Sequence, residues 1–230
     1  MSKELVAAII LAAGSSSRMG GVKKEFQKLE NGLTVLGNSV RVFASSPLIQ
    51  NIVIVIPENS EAEAKAALPQ EYIKNQNLRI IFVTGGNTRR ASVLNALTAL
   101  TVFSPRYVLI HDGARPWLSL SLVERLITDV KKYDAVIPVL QLTDTPKELK
   151  IKNKEWKITR HLNRASIGAA QTPQAFKFPE ILNAHSKAAQ VDEEFTDDAE
   201  IWGRFCGLVS AIPGEPENRK ITFKEDLDKN

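Results

Sequence analysis

Short apolar, β-branched runs recur along this chain at Val6–Ala13, Asn51–Ile56, Leu78–Val83, Tyr107–Ile110 and Ala135–Val139. Helix-like stretches separate them at Thr34–Ala44, Ser60–Leu68, Thr88–Leu100 and Ser119–Lys132. No other feature restricts the fold as strongly. Strands that alternate with helices form βαβ units, and such units build a parallel sheet. Right-handed crossovers place helices on both faces. The near-continuous hydrophobicity of the first run, VAAIILAA, suits a strand buried on both sides. The expectation is an α/β, Rossmann-like doubly wound, mostly parallel sheet. With 230 residues and no internal repeat or low-complexity segment, the chain reads as one domain, 1–230.

Composition excludes several classes. A hydrophobic fraction of 43% and a charged fraction of 24% are those of a soluble globular protein. The net charge of +4 permits anionic small ligands but is too weak and dispersed for a nucleic-acid groove. Cys206 is the only cysteine, which excludes an intrachain disulfide, and it is expected to pack in a strand. No apolar run approaches the ~18 residues of a membrane span, and no signal peptide is evident. Together these features predict a cytoplasmic protein.

In such a sheet, ligands bind outside the carboxyl ends of the strands, so the loops after the strands matter most. The first run leads into Gly14-Ser15-Ser16-Ser17-Arg18-Met19-Gly20-Gly21, with Lys23 and Lys24 just beyond. Exposed backbone N–H groups in a small-residue loop form a concavity for an anion, and the cations add fixed charge. On spacing alone the loop reads equally well as a plain connection. It is neither a Walker loop, which needs Gly-Lys-Ser/Thr at its end, nor a dinucleotide fingerprint. After the third run, Gly85-Gly86-Asn87-Thr88 precedes a helix that Thr88 or Asn87 can cap.

His111-Asp112-Gly113-Ala114-Arg115-Pro116 ends the fourth run. There Asp112 suits either a Mg²⁺ ligand or a turn cap. His111 reads as structural, and Arg115 suits either a phosphate or a pairing with Asp112. From Gln141 to Arg164 the pattern turns polar, with alternation around Ile151, Trp156 and Ile158 and a turn near Asn153-Lys154. That reads as a hairpin arm (141–164) whose apolar residues need a partner, or else as a solvated surface excursion. Ala170–Phe176 should return to the sheet, Pro179–Lys187 should form a helix, Thr196 should cap the next one, and Leu208–Ile212 should be the last strand.

Taken in order, LAAGSSSRMGGVKKEF, GGNTRRASV, VLIHDGARPW, AAQTPQAF, FTDDAE and RKITFKEDL resemble the 2-C-methyl-D-erythritol 4-phosphate cytidylyltransferases. These belong to the nucleotidyltransferases that activate sugar and polyol phosphates. The resemblance implies transfer of CMP from CTP to 2-C-methyl-D-erythritol 4-phosphate with release of pyrophosphate, assisted by Mg²⁺ or another divalent cation. It implies catalytic roles for Arg18, Lys24 and Lys220. Ala12, Ala13, Gly14, Gly85, Gly86, Ser92, Asp112 and Gly113 would meet the nucleotide, and Thr145, Arg164, Thr172 and Thr196 the polyol phosphate. The arm would exchange between subunits of a homodimer. Lys23 stands where the family usually has proline, and Asn87 where it often has aspartate. The alternatives are a ribitol-5-phosphate cytidylyltransferase and a non-catalytic nucleotide-binding protein of the same fold. Neither a nucleic acid nor a membrane is an expected partner.

Overall fold

The computed structural model describes residues 5–14 and 19–227. Arg18, one of the three expected catalytic residues, lies outside the described residues. In chain order the elements are β1 (Val6–Leu11), α1 (Val35–Ala44), β2 (Ile49–Ile56), α2 (Glu61–Ala66), α3 (Gln70–Ile73), β3 (Arg79–Thr84), α4 (Arg89–Leu100), β4 (Tyr107–Asp112), α5 (Leu120–Tyr133) and β5 (Ala135–Gln141). The hairpin β6 (Lys147–Lys152) and β7 (Glu155–His161) follows, then β8 (Gly168–Ala170), β9 (Gln174–Lys177), α6 (Phe178–Ala188), α7 (Asp198–Phe205) and β10 (Ser210–Pro213). The main sheet runs β10-β5-β9-β4-β1-β2-β3, with β8 paired to β5.

Period-2 alternation sorts β1 between two cores. Val6, Ala8 and Ile10 face one, packed with Leu36, Val40 and Phe43 of α1 and with Leu122 and Leu126 of α5. Ala7 and Ile9 face the other, packed with Val93 and Leu97 of α4, Ile181 of α6 and Trp202 of α7. Both faces of the strand are therefore buried, as its composition requires. Thr34, Thr88 and Ser119 cap α1, α4 and α5, each side-chain oxygen accepting a backbone N–H of its own first turn. Each such cap stabilises its helix by about 1 kcal/mol.

The sheet is mostly parallel, but β9 runs antiparallel to both β4 and β5, and β8 antiparallel to β5. The reason is topological: the chain leaves β5 at the carboxyl edge and comes back from the arm on that same edge, so it re-enters the sheet in the opposite direction. Three local expectations need correction. Asp197, not Thr196, caps α7, its carboxylate accepting the Glu200 N–H at 2.9 Å. Cys206 is exposed rather than packed in a strand, because α7 ends there. Gly207, at φ +137°, turns the chain away, and the last strand begins only at Ser210.

The arm is the hairpin the alternation predicts. Ile151 pairs with Trp156 and Leu149 with Ile158 across its ladder. Asn153 (φ 52°) and Lys154 (φ 66°) form a two-residue turn whose positive φ angles match strand twist. All four apolar side chains are exposed, Trp156 to 68%. Among the described residues no helix is long and apolar enough to cross a membrane.

Candidate active site

A cavity of about 400 Å³ opens at the carboxyl edge of β1, β3 and β4. Ala13, Gly14, Gly86, Ser92, Asp112, Lys24 and Lys220 line it, together with Glu25, Arg89 and Thr222. Each wall follows from local sequence. At the end of β1, the Ala12 N–H still pairs with the Val55 carbonyl at 2.8 Å, after which the chain turns out of the sheet. Gly85 packs so close to Ala13 that a Cβ would lie 2.6 Å from the Ala13 Cβ. The two loops can therefore meet only with glycine there. Ser92, from the first turns of α4, accepts the Gly86 N–H at 3.0 Å and fixes the loop from behind.

Asp112 is the electrostatic centre. It ends β4 and is 9% exposed. Lys220 donates to its Oδ2 at 2.8 Å, Arg115 Nε lies 3.5 Å from the same oxygen, and Arg89 Nε lies 4.0 Å from Oδ1. Burial alone would raise this carboxyl, but Lys220, Arg89 and Arg115 outweigh it and hold it well below the usual carboxylate range. Arg115 thus pairs with Asp112, and it also donates to the Asn218 carbonyl at 2.7 Å. His111 is structural: fully buried, it contacts the Arg115 carbonyl and the Thr172 hydroxyl. Burial pushes its pKa down to about 4, so the ring is neutral at ordinary pH.

The adjacent lysines diverge. Lys24 turns toward the site and donates to the Ile221 carbonyl at 2.9 Å. Lys23 turns away to α2, reaching Ser60 Oγ at 2.7 Å and Glu63 at 3.3 Å. The segment carrying Lys220 is held in place by the Ile221 N–H on the Ala114 carbonyl and by Gln171 on the carbonyls of Glu215 and Asn218.

Ala12 and Gly85 stand directly behind the lining, and Gly113 backs it, its N–H on the Leu11 carbonyl at 2.9 Å. Thr172 is buried, and its hydroxyl accepts the Asp112 N–H at 3.0 Å, so in the single chain it supports Asp112 from within the protein. Thr145, Arg164 and Thr196 do not line the cavity. Arg164 donates to the Thr143 carbonyl at the base of the arm, and the Thr196 hydroxyl donates to Glu200. Arg89 was missed by the sequence reading, though its position carries a signal. Arg89 and Arg90 open a helix whose first turn has no acid, a place where cations oppose the helix dipole. Only a nearby anion makes that placement favourable, and Asp112 and Asp198 supply it.

Among the described residues no group of three or more His, Cys, Asp or Glu side chains converges on one point. Mg²⁺ commonly takes one or two carboxylates with substrate phosphates and water. Asp112 fits that donor set, its Oδ1 being the oxygen that does not carry Lys220.

The family model of IspD, 2-C-methyl-D-erythritol 4-phosphate cytidylyltransferase, matches residues 6–230. The chain belongs to the IspD family. Among curated relatives, the bifunctional enzyme IspD/IspF of Bartonella henselae is 40% identical over 226 residues, covering 96% of this chain and 55% of the relative. The chain therefore spans about half the length of the curated relatives it matches. Among solved structures, 4-diphosphocytidyl-2C-methyl-D-erythritol synthase of Anaerococcus prevotii superposes with a TM-score of 0.82 at 30% identity, covering 98% of this chain and 93% of that one. The bifunctional IspDF of Campylobacter jejuni gives 0.73 at 30% identity, covering 98% of this chain and 54% of that one.

Proposed function

We propose that this IspD-family chain transfers CMP from CTP to 2-C-methyl-D-erythritol 4-phosphate, releasing pyrophosphate. The observation that carries this reading is the convergence of Lys24, Lys220 and Arg89 on one cavity around Asp112, beside two glycine-bearing loops. An oxygen of the acceptor phosphate attacks the α-phosphorus; a new O–P bond forms as the bond to the pyrophosphate oxygen breaks. The acceptor phosphate is already anionic, so no nucleophile needs activation. The step needs in-line alignment and cancellation of growing negative charge. Lys24 and Lys220 supply point charges against that growing charge, whereas Arg89 offers a planar fork that binds the triphosphate of CTP before reaction. Arg18, in the adjoining loop, takes the role of Lys24 and Lys220 on the resemblance. Asp112 keeps the cations gathered before substrate arrives. Asp112 would also hold Mg²⁺, which when bound neutralises triphosphate charge. Backbone groups of Gly85 and Gly86, beside Ala13, suit reading of the base edge.

A pyrophosphate-release assay across nucleotides and polyol phosphates tests this. CTP with 2-C-methyl-D-erythritol 4-phosphate should exceed every other pairing by at least about tenfold, a gap of about 1.4 kcal/mol. Equal turnover with UTP or ATP, or preference for ribitol 5-phosphate, would sink it.

The arm is the element through which a homodimer would form, bringing Thr145 and Arg164 to the acceptor phosphate. Support comes from its four exposed apolar side chains on paired positions, a face that water solvates poorly. Trp156→Glu should shift sedimentation from dimer to monomer while the melting curve of the domain stays in place. A wild-type chain that sediments only as an active monomer would rule the arm interface out.

A further inference from the structure

Behind the cavity, a line of polar groups runs inward through three helices. Arg89 Nη2 of α4 donates to Asp198 Oδ2 of α7 at 2.6 Å. On the far side, His185 Nε2 of α6 lies 3.2 Å from Asp198 Oδ1. Asp198 and His185 are both 0% exposed. Oδ1 has no aligned hydrogen bond among the described residues, so the imidazole is a close polar contact rather than a linear bond.

A carboxylate removed from water needs a polar neighbour at each oxygen. Arg89 satisfies one oxygen of Asp198, and His185 is what faces the other. Arg89 itself is long and flexible, with many rotamers to choose between. Its pairing with Asp198 selects the one that leaves Nε 4.0 Å from Asp112 in the cavity. An apolar residue at 185 would fill the junction of α6 and α7 equally well. A ring nitrogen facing the carboxylate does something an apolar side chain cannot: it fixes the plane of Asp198 and, through it, the fork of Arg89.

We propose that His185 is a positioning residue for nucleotide binding, acting through Asp198 on Arg89. The inference rests on the cytidylyltransferase reading of the site. It assigns to a buried histidine, remote from any reacting atom, a share of CTP affinity.

The test compares His185→Leu with His185→Gln, whose amide can still present a donor to Oδ1. His185→Leu should raise KM for CTP about tenfold, equivalent to about 1.4 kcal/mol. Its kcat and its KM for the polyol phosphate should move less than about threefold, and His185→Gln should recover most of the loss. In an Asp198→Asn background, His185→Leu should add nothing further. An unchanged KM for CTP in His185→Leu overturns the proposal. So does equal impairment of the Leu and Gln variants, or full additivity with Asp198→Asn. If His185→Leu does not fold, His185→Gln against His185→Asn carries the comparison: the shorter amide falls short of Oδ1 and should lose CTP affinity, and equal affinity in the two overturns the proposal. If the wild-type chain releases no pyrophosphate with any acceptor, the functional reading fails on its own account. CTP binding measured by calorimetry then still decides for or against His185.

Discussion

Lys24→Ala should lower kcat by about 10²- to 10³-fold, the loss seen when one preorganised electrostatic contact to a developing charge is removed. The ammonium is held by the Ile221 carbonyl at 2.9 Å, so it sits in place before substrate binds and needs little reorganisation during reaction. KM for CTP should change much less than kcat, because the contact strengthens only as charge grows on the α-phosphoryl group. Lys24→Arg should rescue poorly, since a planar fork does not replace a compact point charge. Steady-state kinetics settle the matter. A variant that raises only KM for CTP at unchanged kcat would make Lys24 a ground-state binder.

Asp198→Asn should be strongly destabilising. The substitution replaces the carboxylate 2.6 Å from Arg89 with a neutral amide and leaves the guanidinium charge uncompensated in a largely buried setting. Removing one member of a buried pair costs about 3–5 kcal/mol. The lower end applies, because the Arg89 side chain keeps 34% exposure and can partly rehydrate. The pH dependence has a definite sign. Burial would raise the Asp198 carboxyl, but Arg89 and then His185 pull it down to about 2 from an ordinary 3.8. A depressed carboxyl stabilises the folded state above 3.8 and loses that stabilisation as pH falls toward 2. His111 acts earlier on the same acid limb. The unfolded chain binds its proton from about 6.5 downward and the folded chain only near 4, so stability falls across that interval. Asp198→Asn should flatten the limb below about 4 and leave the His111 portion intact. Denaturant midpoints measured between pH 7 and 3 test this, and a wild-type-like midpoint at pH 7 would refute the pair's stabilising role.

Much of the sheet was legible because its signals are local. Five apolar runs became five strands, since a strand buried on both faces has few sequence alternatives. Thr88, one of two caps read at the start of α4, does cap it, whereas the cap expected at Thr196 falls one residue on, at Asp197. The motifs around Lys24 and Lys220 marked both, although 196 positions separate them in the chain, and the fold brings both to one cavity. What stayed hidden depends on tertiary context. The reversed direction of β9 is set by where the arm returns, which no window of sequence contains. The hydrogen bond that seats Thr172 behind Asp112 depends on β9 lying beside β4. Arg89 gains its partner only where α7 brings Asp198 beneath it. Thr145 and Arg164 lie outside the cavity of a single chain, so their expected role hangs on a second copy.

Lys24 holds a carbonyl at residue 221, and Lys220 holds a carboxylate at residue 112. Those contacts close loops of 197 and 108 residues. Loop-closure entropy makes such contacts late events, formed after the local strand–helix units have condensed. The cavity is therefore among the last parts of the molecule to assemble. During refolding, sheet and helix signals should return before the ability to bind nucleotide does. A chain caught midway would possess the sheet without the site.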